Sequence, residues 1–384
     1  MDDGLATLLT PAAAGVRRLK ALLLVTGLED YTIAFANGVV EHADVVLAVP
    51  RAQYATLTHY LDPRVDLRLI DWPRHRSVAG NLRLVATLAR LVRRTRPDVV
   101  HLLSNNTVWL NLAAPFWRPT PLLTTVHDVE THPGDRETRM LPDWPKRLMV
   151  RQSDRVVVHG EALRAAAAER FGKGSDRIHV LSHPTITRYR EFAEIERLRP
   201  RPPGGRFRVL MFGRVFAYKG LAHLLEAEAL LGDRIPGLEI VIAGRGDDPW
   251  SLRDLMGDPG RYRVHNAYIP DPEVAQMFLD TDVVVLPYIE ASQSGVLNVA
   301  VSFGKPVIVT DVGELRSTVE PNRLGLVVPP ADPAALAEAI ARLAERPELR
   351  AELGRSARRW AEGPNAPATV GRHAVDLYSR MVRP

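Results

Sequence analysis

Two cations lie five residues apart in the second half of the chain, and their types and spacing suit a diphosphate. The stretch FRVLMFGRVFAYKG, residues 207–220, has an alternating apolar segment up to Gly213, followed by Arg214 and Lys219. The alternation predicts a strand, and leucines at helical spacing after Gly220 predict a helix. Arginine offers a planar fork of donors and lysine a mobile point charge. We therefore predict that this pair binds phosphate; the alternative is a solvated loop.

A second stretch, VVVLPYIEASQSGVLNVAVSFGKPVIVT at residues 283–310, has the same strand–turn–helix pattern. Its strand ends at Pro287, a Ser-Gln-Ser-Gly turn follows, and a helix is predicted near Val296. The first turn of a helix has backbone N–H groups without helical partners and the positive end of the helix dipole. The N–H groups of Ser294, Gly295 and Val296 are therefore predicted to complete the phosphate site.

These motifs resemble family four of the retaining glycosyltransferases with the GT-B fold. The resemblance rests on FGRVFAYKG, IAGRGDDP and GKPVIVTDVGEL in this order, and it covers most of residues 20–375. It implies an α/β protein whose two Rossmann-like, parallel-sheet domains face each other across a cleft, with a C-terminal helix that crosses back to the N-terminal domain. It also implies transfer of a hexose from a UDP- or GDP-sugar to a saccharide, lipid-linked or small-molecule acceptor.

The resemblance also assigns roles to individual residues. His127 follows the strand LLTTV and corresponds to a family histidine that faces the donor sugar; the alternative is a histidine of the core or of a cap. The catalytic residues are predicted to be His127, Arg214, Lys219 and Glu290. The donor site is predicted to contain Gly213, Arg214, Lys219, Gly244, Ile269, Glu290, Ser294, Gly295, Val296 and Asn298, with Gly244 and the region of Ile269 in the wall of the base pocket.

The chain departs from the family in the Ser-Gln-Ser-Gly turn. The family has two glutamates eight residues apart, and alignment through the GKP motif places Ala291 and Val299 at these positions. Glu290 is one residue early, and Asn298 is next to the missing second glutamate. We expect Asn298 or Ser294 to bind the ribose hydroxyls instead. A catalytically silent nucleotide-binding partner subunit and a GT-B nucleotide-sugar epimerase are the alternatives.

Other departures lie in the first half. Gly160 stands where the family often has a serine, so a polar contact is expected to be missing, and His183-Pro184 replaces a usual Asn-Gly. A metal site of His127, Asp128 and His132 is a further alternative, but the spacing matches no standard site. We therefore expect no cofactor and no metal, since Arg214 and Lys219 supply the positive charge that a cation would.

Alternating strands and helices must position these residues. The predicted domains are residues 1–198 on the acceptor side, a linker at 199–205 (RPRPPGG), a nucleotide-sugar domain at 206–363 and a crossover helix at 364–384. Strands of the second half are predicted at 207–212, 238–243, 264–268, 283–287, 306–310 and 325–328, and helices near 220–231, 250–256, 272–279, 295–303, 314–319, 333–344 and 347–360. Their alternation with helices is typical of a parallel sheet covered on both faces.

Composition limits the class of protein. The 384 residues are 46% hydrophobic and 25% charged, which predicts a packed globular chain of two domains. Cysteine is absent, so the chain has no disulfide and no thiolate metal site. Apolar runs such as DVVVLP are far shorter than the ~18 residues of a membrane span, and the acidic N-terminus does not resemble a signal peptide. A cytoplasmic protein without a nucleic-acid partner is expected.

A basic stretch in the first half adds a possible membrane partner. Between Arg64 and Arg96 there are nine arginines against two aspartates, a net excess of seven positive charges with His75 neutral. A helix is predicted over 82–95 with Asn81 as its N-cap, and it places Arg83, Arg90 and Arg94 on one side. We expect weak contact with an anionic membrane surface at the inner face; the alternative is an ordinary amphipathic helix in a chain with 45 arginines and 5 lysines.

Overall fold

Two parallel β-sheets, one in each half of the chain, form the framework of the protein. The computed structural model describes residues 17–105, 107–130, 143–202 and 204–382. The first sheet contains β1 (Lys20–Leu24), β2 (Asp44–Pro50), β3 (Asp66–Ile70), β4 (Val99–Leu102), β5 (Leu122–Thr125), β6 (Arg155–Val158) and β7 (Ile178–Val180). The second contains β8 (Phe207–Phe212), β9 (Leu238–Ala243), β10 (Tyr262–His265), β11 (Val283–Leu286), β12 (Val307–Thr310) and β13 (Gly325–Val328).

Helices cover the faces of both sheets. Those that accompany the first sheet are α1 (Glu29–Val40), α2 (Arg51–Tyr54), α3 (Val78–Thr95), α4 (Val108–Ala113), α5 (Trp144–Gln152) and α6 (Glu161–Phe171). The helices that follow are α7 (Arg188–Ile195), α8 (Leu221–Leu231), α9 (Asp271–Asp280), α10 (Gly295–Ser302), α11 (Leu315–Val319), α12 (Pro333–Glu345), α13 (Pro347–Glu362) and α14 (Pro367–Val382). The predicted fold class, α/β with two Rossmann-like domains, is confirmed.

Each sheet is buried on both faces. Side chains alternate between the two faces of a strand, and neighbouring residues of β8 accordingly lie in different cores. Val209 and Met211 pack under α8 and α12, whereas Leu210 packs in the other core with Phe278. Burial on both faces accounts for the almost entirely apolar strands of this chain, such as LEIVIA in β9, in which every residue is buried.

The order of the strands defines where a ligand fits. The sheets run β3-β2-β1-β4-β5-β6-β7 and β10-β9-β8-β11-β12-β13, so the chain changes direction between β1 and β4 and between β8 and β11. Open parallel sheets bind ligands outside the carboxyl ends of their strands at this reversal. The two chemically suggestive stretches follow β8 and β11, and they therefore meet at the reversal of the second sheet.

The C-terminal helix returns to the first domain, as predicted. Val370, Ala374, Leu377 and Tyr378 of α14 belong to the core cluster that contains β1 and α1. The hydroxyl of Tyr378 also lies 2.7 Å from Nδ1 of His101, which is fully buried in β4. The helix therefore completes the first domain rather than the domain that precedes it in sequence.

The chain also crosses between the domains before the predicted linker. Ile186 and Tyr189, the latter in α7, pack in the core of the second domain with Val299 and Tyr288. The domain bounds given above stay a prediction, but this packing shows that the segment from about residue 185 already follows the second domain.

Three local predictions are corrected by the structure. The strand expected at 264–268 is β10, because Tyr262 to His265 pair in register with Ile240 to Ala243. Helix α3 begins at Val78, and Asn81 is not its cap: the residue is 1% exposed and its Nδ2 donates to the carbonyl oxygen of Ser77 at 2.8 Å. The helix expected at 250–256 is a 3-10 segment, Pro249–Leu255.

Candidate functional site

The carboxyl ends of β8, β9 and β11 bring several predicted donor residues together. The N–H of Gly213 donates to the carbonyl oxygen of Ala243 at 2.9 Å. Gly244 has a φ of 138°, and a Cβ there would lie 1.9 Å from the carbonyl oxygen of Gly213. A Cβ on Gly213 would in turn lie 3.4 Å from Cγ2 of Val296, in the first turn of α10. The backbones of Gly213 and Gly244 therefore pack closely beside the start of α10, and a side chain at Gly244 would clash there.

Lys219 lies against the turn that begins α10. Its Nζ is 3.6 Å from the ring centroid of Tyr288, and the hydroxyl of Tyr288 is 3.1 Å from Oγ of Ser294. The aromatic face holds the ammonium by a cation–π contact. Because Ser294 immediately precedes α10, the ammonium is placed beside the N–H groups that the sequence predicted as a phosphate site.

Arg214 comes to the same place from the other end of its loop. Its Nη2 donates to the hydroxyl of Tyr218 at 3.3 Å, and its Cζ is 5.7 Å from the ring centroid of Phe216. The loop is closed by the N–H of Ile289, which donates to the carbonyl oxygen of Tyr218 at 2.8 Å. This bond ties the Arg214–Lys219 segment to the loop that contains Glu290.

The charge of Lys219 is sensitive to its surroundings. Burial, and to a smaller extent the charge of Arg214, lowers the pKa of the Lys219 ammonium to about 8, whereas Tyr218 and Asp128 act in the opposite direction. Asp128 follows β5 in the first domain, so its influence reaches Lys219 from across the cleft. A bound diphosphate would favour the charged form of the lysine.

This pKa predicts an alkaline decline in activity. A lysine with a pKa near 8 is charged below that pH and neutral above it, so kcat/KM for an anionic donor is expected to fall as pH rises through about 8. Lys219→Arg keeps its charge over this range and is expected to show no such decline, even with a lower absolute rate. The measurement is kcat/KM against pH for both proteins; the same alkaline decline in both would exclude Lys219 as its source.

His127 lies on the first-domain wall of the cleft, but both of its ring nitrogens are engaged. Nε2 is 2.8 Å from the carbonyl oxygen of Leu103, and Nδ1 is 3.0 Å from Nε2 of His159. Burial lowers the pKa of His127, so the ring is neutral at neutral pH. A ring nitrogen can contact a donor sugar only when it moves away from one of these two partners. The role predicted for His127 stays a prediction under that condition.

The sequence interpretation missed the aromatic cluster that supports His127. The ring centroid of Tyr31 lies 4.6 Å from that of His127, 5.4 Å from that of His159 and 4.9 Å from that of His183. Burial holds the pKa of His159 well below its usual value and lowers that of His183 to about 4. These rings are therefore uncharged supports. The sequence contained a signal for this cluster. His159 comes at the end of the segment DRVVVH, just as His127 comes directly after LLTTV.

Two predicted donor residues point elsewhere. Ile269 is 8% exposed and packs in the second-domain core with Val241 and Phe278, so its side chain is not a pocket wall. Asn298 is 4% exposed; its Nδ2 donates to the carbonyl oxygen of Ser294 at 3.2 Å and its Oδ1 accepts from Nδ2 of Asn365 at 3.0 Å. It lies one turn into α10, where these bonds hold the chain crossing together, and its predicted role at the ribose stays a prediction.

The remaining predicted residues keep their positions at the cleft. Glu290 is exposed on the loop after β11, and Ser294 is 6% exposed with its hydroxyl engaged by Tyr288. His132 lies outside the described residues. Within the described ranges, no three His, Asp or Glu side chains are grouped so that they could hold a metal ion. In the same part of the chain, no helix has the length and apolar character needed to cross a membrane.

Comparison with protein families accounts for both domains. Residues 26–184 match the model of the glycosyl transferase 4-like domain, and residues 206–346 match that of glycosyl transferases group 1. An α-D-kanosaminyltransferase of Streptomyces kanamyceticus is 28% identical over 68% of this chain and 71% of its own. A D-inositol 3-phosphate glycosyltransferase of an Arthrobacter strain is 34% identical over 42% of this chain and 40% of its own.

The fold has counterparts among solved structures. The Anabaena protein Alr3699/HepE, in complex with UDP and glucose, superposes with a TM-score of 0.71 at 16% identity, over 94% of this chain and all of the other. At this identity the likeness is one of fold, and the two-domain arrangement described above is the shared feature.

Proposed function

Because the chain belongs to the family-four glycosyltransferases with the GT-B fold, we propose that it transfers a hexose from a UDP- or GDP-sugar with retention of the anomeric configuration. The observation that carries this proposal is the position of Lys219. Its ammonium lies on Tyr288, beside the turn that begins α10 and at the strand reversal of the second sheet. A cation and the N–H groups of a helix start at one point suit a diphosphate.

The chemistry follows from where charge develops. When the bond between the anomeric carbon and the β-phosphate oxygen breaks, negative charge collects on the leaving diphosphate. Preorganised cations and N–H groups lower the barrier because they need no rearrangement as this charge appears. Arg214 and Lys219 would supply this stabilisation without a metal ion. For retention, the acceptor hydroxyl attacks from the face that the leaving group occupies, and its proton can pass to the leaving phosphate oxygen.

Names of similar proteins support a sugar-nucleotide donor and leave the acceptor open. One relative is a kanosaminyltransferase, another acts on D-inositol 3-phosphate by its name, and the Anabaena structure contains UDP and glucose. We propose a saccharide, lipid-linked or small-molecule acceptor bound by the first domain, with synthesis at the cytoplasmic face of the membrane.

The test of the proposed function combines binding and turnover. A nucleotide present at about 100 times its Kd should add about 2.7 kcal/mol to stability, so a thermal-shift series with UDP, GDP, ADP and their sugars should identify the donor. Release of nucleoside diphosphate from that donor without acceptor would show catalysis. Binding without release would favour the silent partner subunit, and an epimerised sugar nucleotide would favour the epimerase.

His127→Ala is expected to separate transfer from nucleotide binding. The side chain belongs to the first domain, and its loss leaves His159 without its ring partner at 3.0 Å. We expect transfer to fall strongly while the Kd for the nucleoside diphosphate stays nearly unchanged, because the phosphate site belongs to the second domain. Both are measurable on the same preparation by product release and calorimetric titration. A large loss of nucleotide affinity would contradict the assigned position of His127.

We further propose that α3 contacts an anionic membrane surface. Arg83, Arg90 and Arg94 are exposed, and among the described residues none of the three pairs with a carboxylate. Leu82, on the same helix, is 57% exposed. Each arginine near such a surface contributes about 1 kcal/mol, and salt screens this attraction. The prediction is weak cosedimentation with anionic vesicles that high salt abolishes.

A charge-matched pair of variants tests this surface. Changing Arg83, Arg90 and Arg94 to glutamate should abolish vesicle binding and spare donor hydrolysis. The control changes three exposed arginines of the second domain to glutamate: Arg253, Arg342 and Arg355. It alters the net charge by the same amount and should preserve vesicle binding. Equal loss in both triple variants would indicate an effect of net charge alone. Equal sedimentation with neutral and anionic vesicles would exclude the electrostatic contact.

A further inference from the structure

A carboxylate of the second domain caps a helix of the first. Glu314 lies in the loop between β12 and α11, and it is only 5% exposed. Its Oε1 accepts from the backbone N–H of Leu163 in α6 at 2.9 Å, and its Oε2 accepts from Oγ of Ser317 at 2.6 Å. Leu163 is the third residue of α6, whose N–H normally bonds to the side chain of the residue before the helix.

Gly160 makes this contact sterically feasible. It is the residue before α6 and has no side chain to cap the helix. A Cβ at Gly160 would lie 1.9 Å from Cδ of Glu314, so any other residue would displace the carboxylate. The sequence predicted that a polar contact would be missing at Gly160. The second domain supplies this contact through the carboxylate of Glu314. A negative charge at this position also interacts favourably with the helix dipole.

The backbone of Glu314 holds the donor turn at the same time. Its N–H donates to the carbonyl oxygen of Ser292 at 3.0 Å. The preceding Gly313 lies so close to the turn that a Cβ would be 2.1 Å from the carbonyl oxygen of Ala291. One residue thus contacts the turn that leads into α10 with its backbone and the first domain with its side chain.

The surroundings shield this link from bulk water. Glu314 borders a cavity of about 50 Å³ between the domains, which is also lined by His159, His183, Gln293 and Asn365. Because this carboxylate is out of bulk water, its hydrogen bond to the α6 N–H is stronger than it would be on the surface. The bond exists only while the domains hold this relative position.

We propose that Glu314 is a positioning residue that couples the closed arrangement of the two domains to the geometry of the donor turn. This inference rests on the proposed function, in which the N–H groups after Ser292 bind the diphosphate. Separation of the domains removes the cap from α6 and releases the loop that fixes the turn. Closure of the two domains therefore fixes the turn before α10, which forms the proposed phosphate site.

A double-mutant cycle tests the proposal. Glu314→Ala should lower kcat/KM for the donor about tenfold because the donor turn loses its link to the first domain, and it should lower the Tm because α6 loses its cap. Gly160→Ser alone should lower the Tm because of the close contact with the carboxylate. In the Gly160→Ser/Glu314→Ala double variant, the serine can cap α6 from within the first domain, so the Tm should recover while kcat/KM stays low. Glu314→Gln keeps an oxygen acceptor and should preserve most of the activity.

Two results would overturn the proposal. Recovery of kcat/KM together with the Tm in the double variant would show that Glu314 is a helix cap and nothing more. Wild-type kcat/KM in Glu314→Ala would show that the link does not matter to the reaction.

Small-angle scattering with bound nucleotide separates this proposal from the proposed function. Glu314→Ala and the Gly160→Ser/Glu314→Ala double variant should scatter as more open particles than the wild type. If the wild type turns over no donor but this opening is seen, the proposed function fails and the interdomain link stands. If the scattering curves coincide, the link itself is refuted.

Discussion

Lys219→Ala is expected to lower turnover of the donor by about 10²–10³, the usual cost of removing one preorganised charge from a site where an anion develops. Arg214 is not expected to replace the lysine, because its guanidinium is held by its contact with the hydroxyl of Tyr218. Arg214→Ala is expected to have an effect of at least about 10² for the same reason. The measurement is single-turnover release of nucleoside diphosphate, which isolates chemistry from product release.

The chain offers a matched control for this variant. Lys305 is also a partly buried lysine of the second domain, and burial lowers its pKa to about 8 as it does for Lys219. Its Nζ donates to the carbonyl oxygens of Leu279 and Thr281 at 2.8 Å each, so its role is structural. Lys305→Ala should lower the Tm while turnover per folded molecule stays within about threefold of wild type. Comparable losses of turnover in both variants would point to a general effect of removing a buried lysine.

Much of the second domain could be predicted because its signals are local. Strands such as β8 and β9 are short apolar runs bounded by glycine. The helices that follow have apolar residues at clear helical spacing. The same local signals place Lys219 and Ser294 at two neighbouring strand ends, and their role as a phosphate site stays a prediction. Helix α1 was not predicted because nine of its twelve residues are buried. A helix without a polar face does not show the helical alternation of apolar and polar residues on which the prediction depends.

Contacts between residues far apart in the chain could not be predicted. Asn298 was placed by its spacing from the GKP motif, and that spacing does not show its partner Asn365, which lies 67 residues away. Glu314 and Leu163 are 151 residues apart, and nothing in either segment alone indicates that they meet. Spacing in the sequence predicts the position of a residue along a helix. Tertiary packing determines which face of the helix is turned toward the cleft.

A second large effect is expected from Arg188→Met, which should lower the free energy of unfolding by about 3–5 kcal/mol. Arg188 is 6% exposed; its Nη1 lies 2.5 Å from Oδ2 of Asp271, and its Nε bonds to the carboxylate of Asp30. Asp30 belongs to α1 of the first domain and Asp271 begins α9 of the second. Loss of the guanidinium would leave two partly buried carboxylates from the two domains close together without their shared cation.

Two tyrosines make the site specific for an arginine. The hydroxyl of Tyr60 donates to Asp271 and that of Tyr189 to Asp30, both at 3.2 Å. The guanidinium carbon lies 4.1 Å from the ring centroid of Tyr189. Burial, and after it the charge of Asp271, raises the pKa of Tyr60 to about 12, so its hydroxyl remains a donor. Lysine cannot reproduce a planar fork with three partners, and Arg188→Lys is expected to recover only part of the loss.

A surface arginine with the same number of carboxylate partners provides the control. Arg234 bonds to Glu338 at 2.5 Å and to Glu345 at 2.7 Å, but its side chain is 42% exposed. Arg234→Met should therefore cost no more than about 1 kcal/mol. Both variants can be compared with wild type by urea denaturation. Adding Asp30→Asn to Arg188→Met should restore part of the stability, since it removes one of the unpaired charges. Similar small losses in the two arginine variants would show that the pairing of Arg188 with Asp30 and Asp271 contributes little to stability.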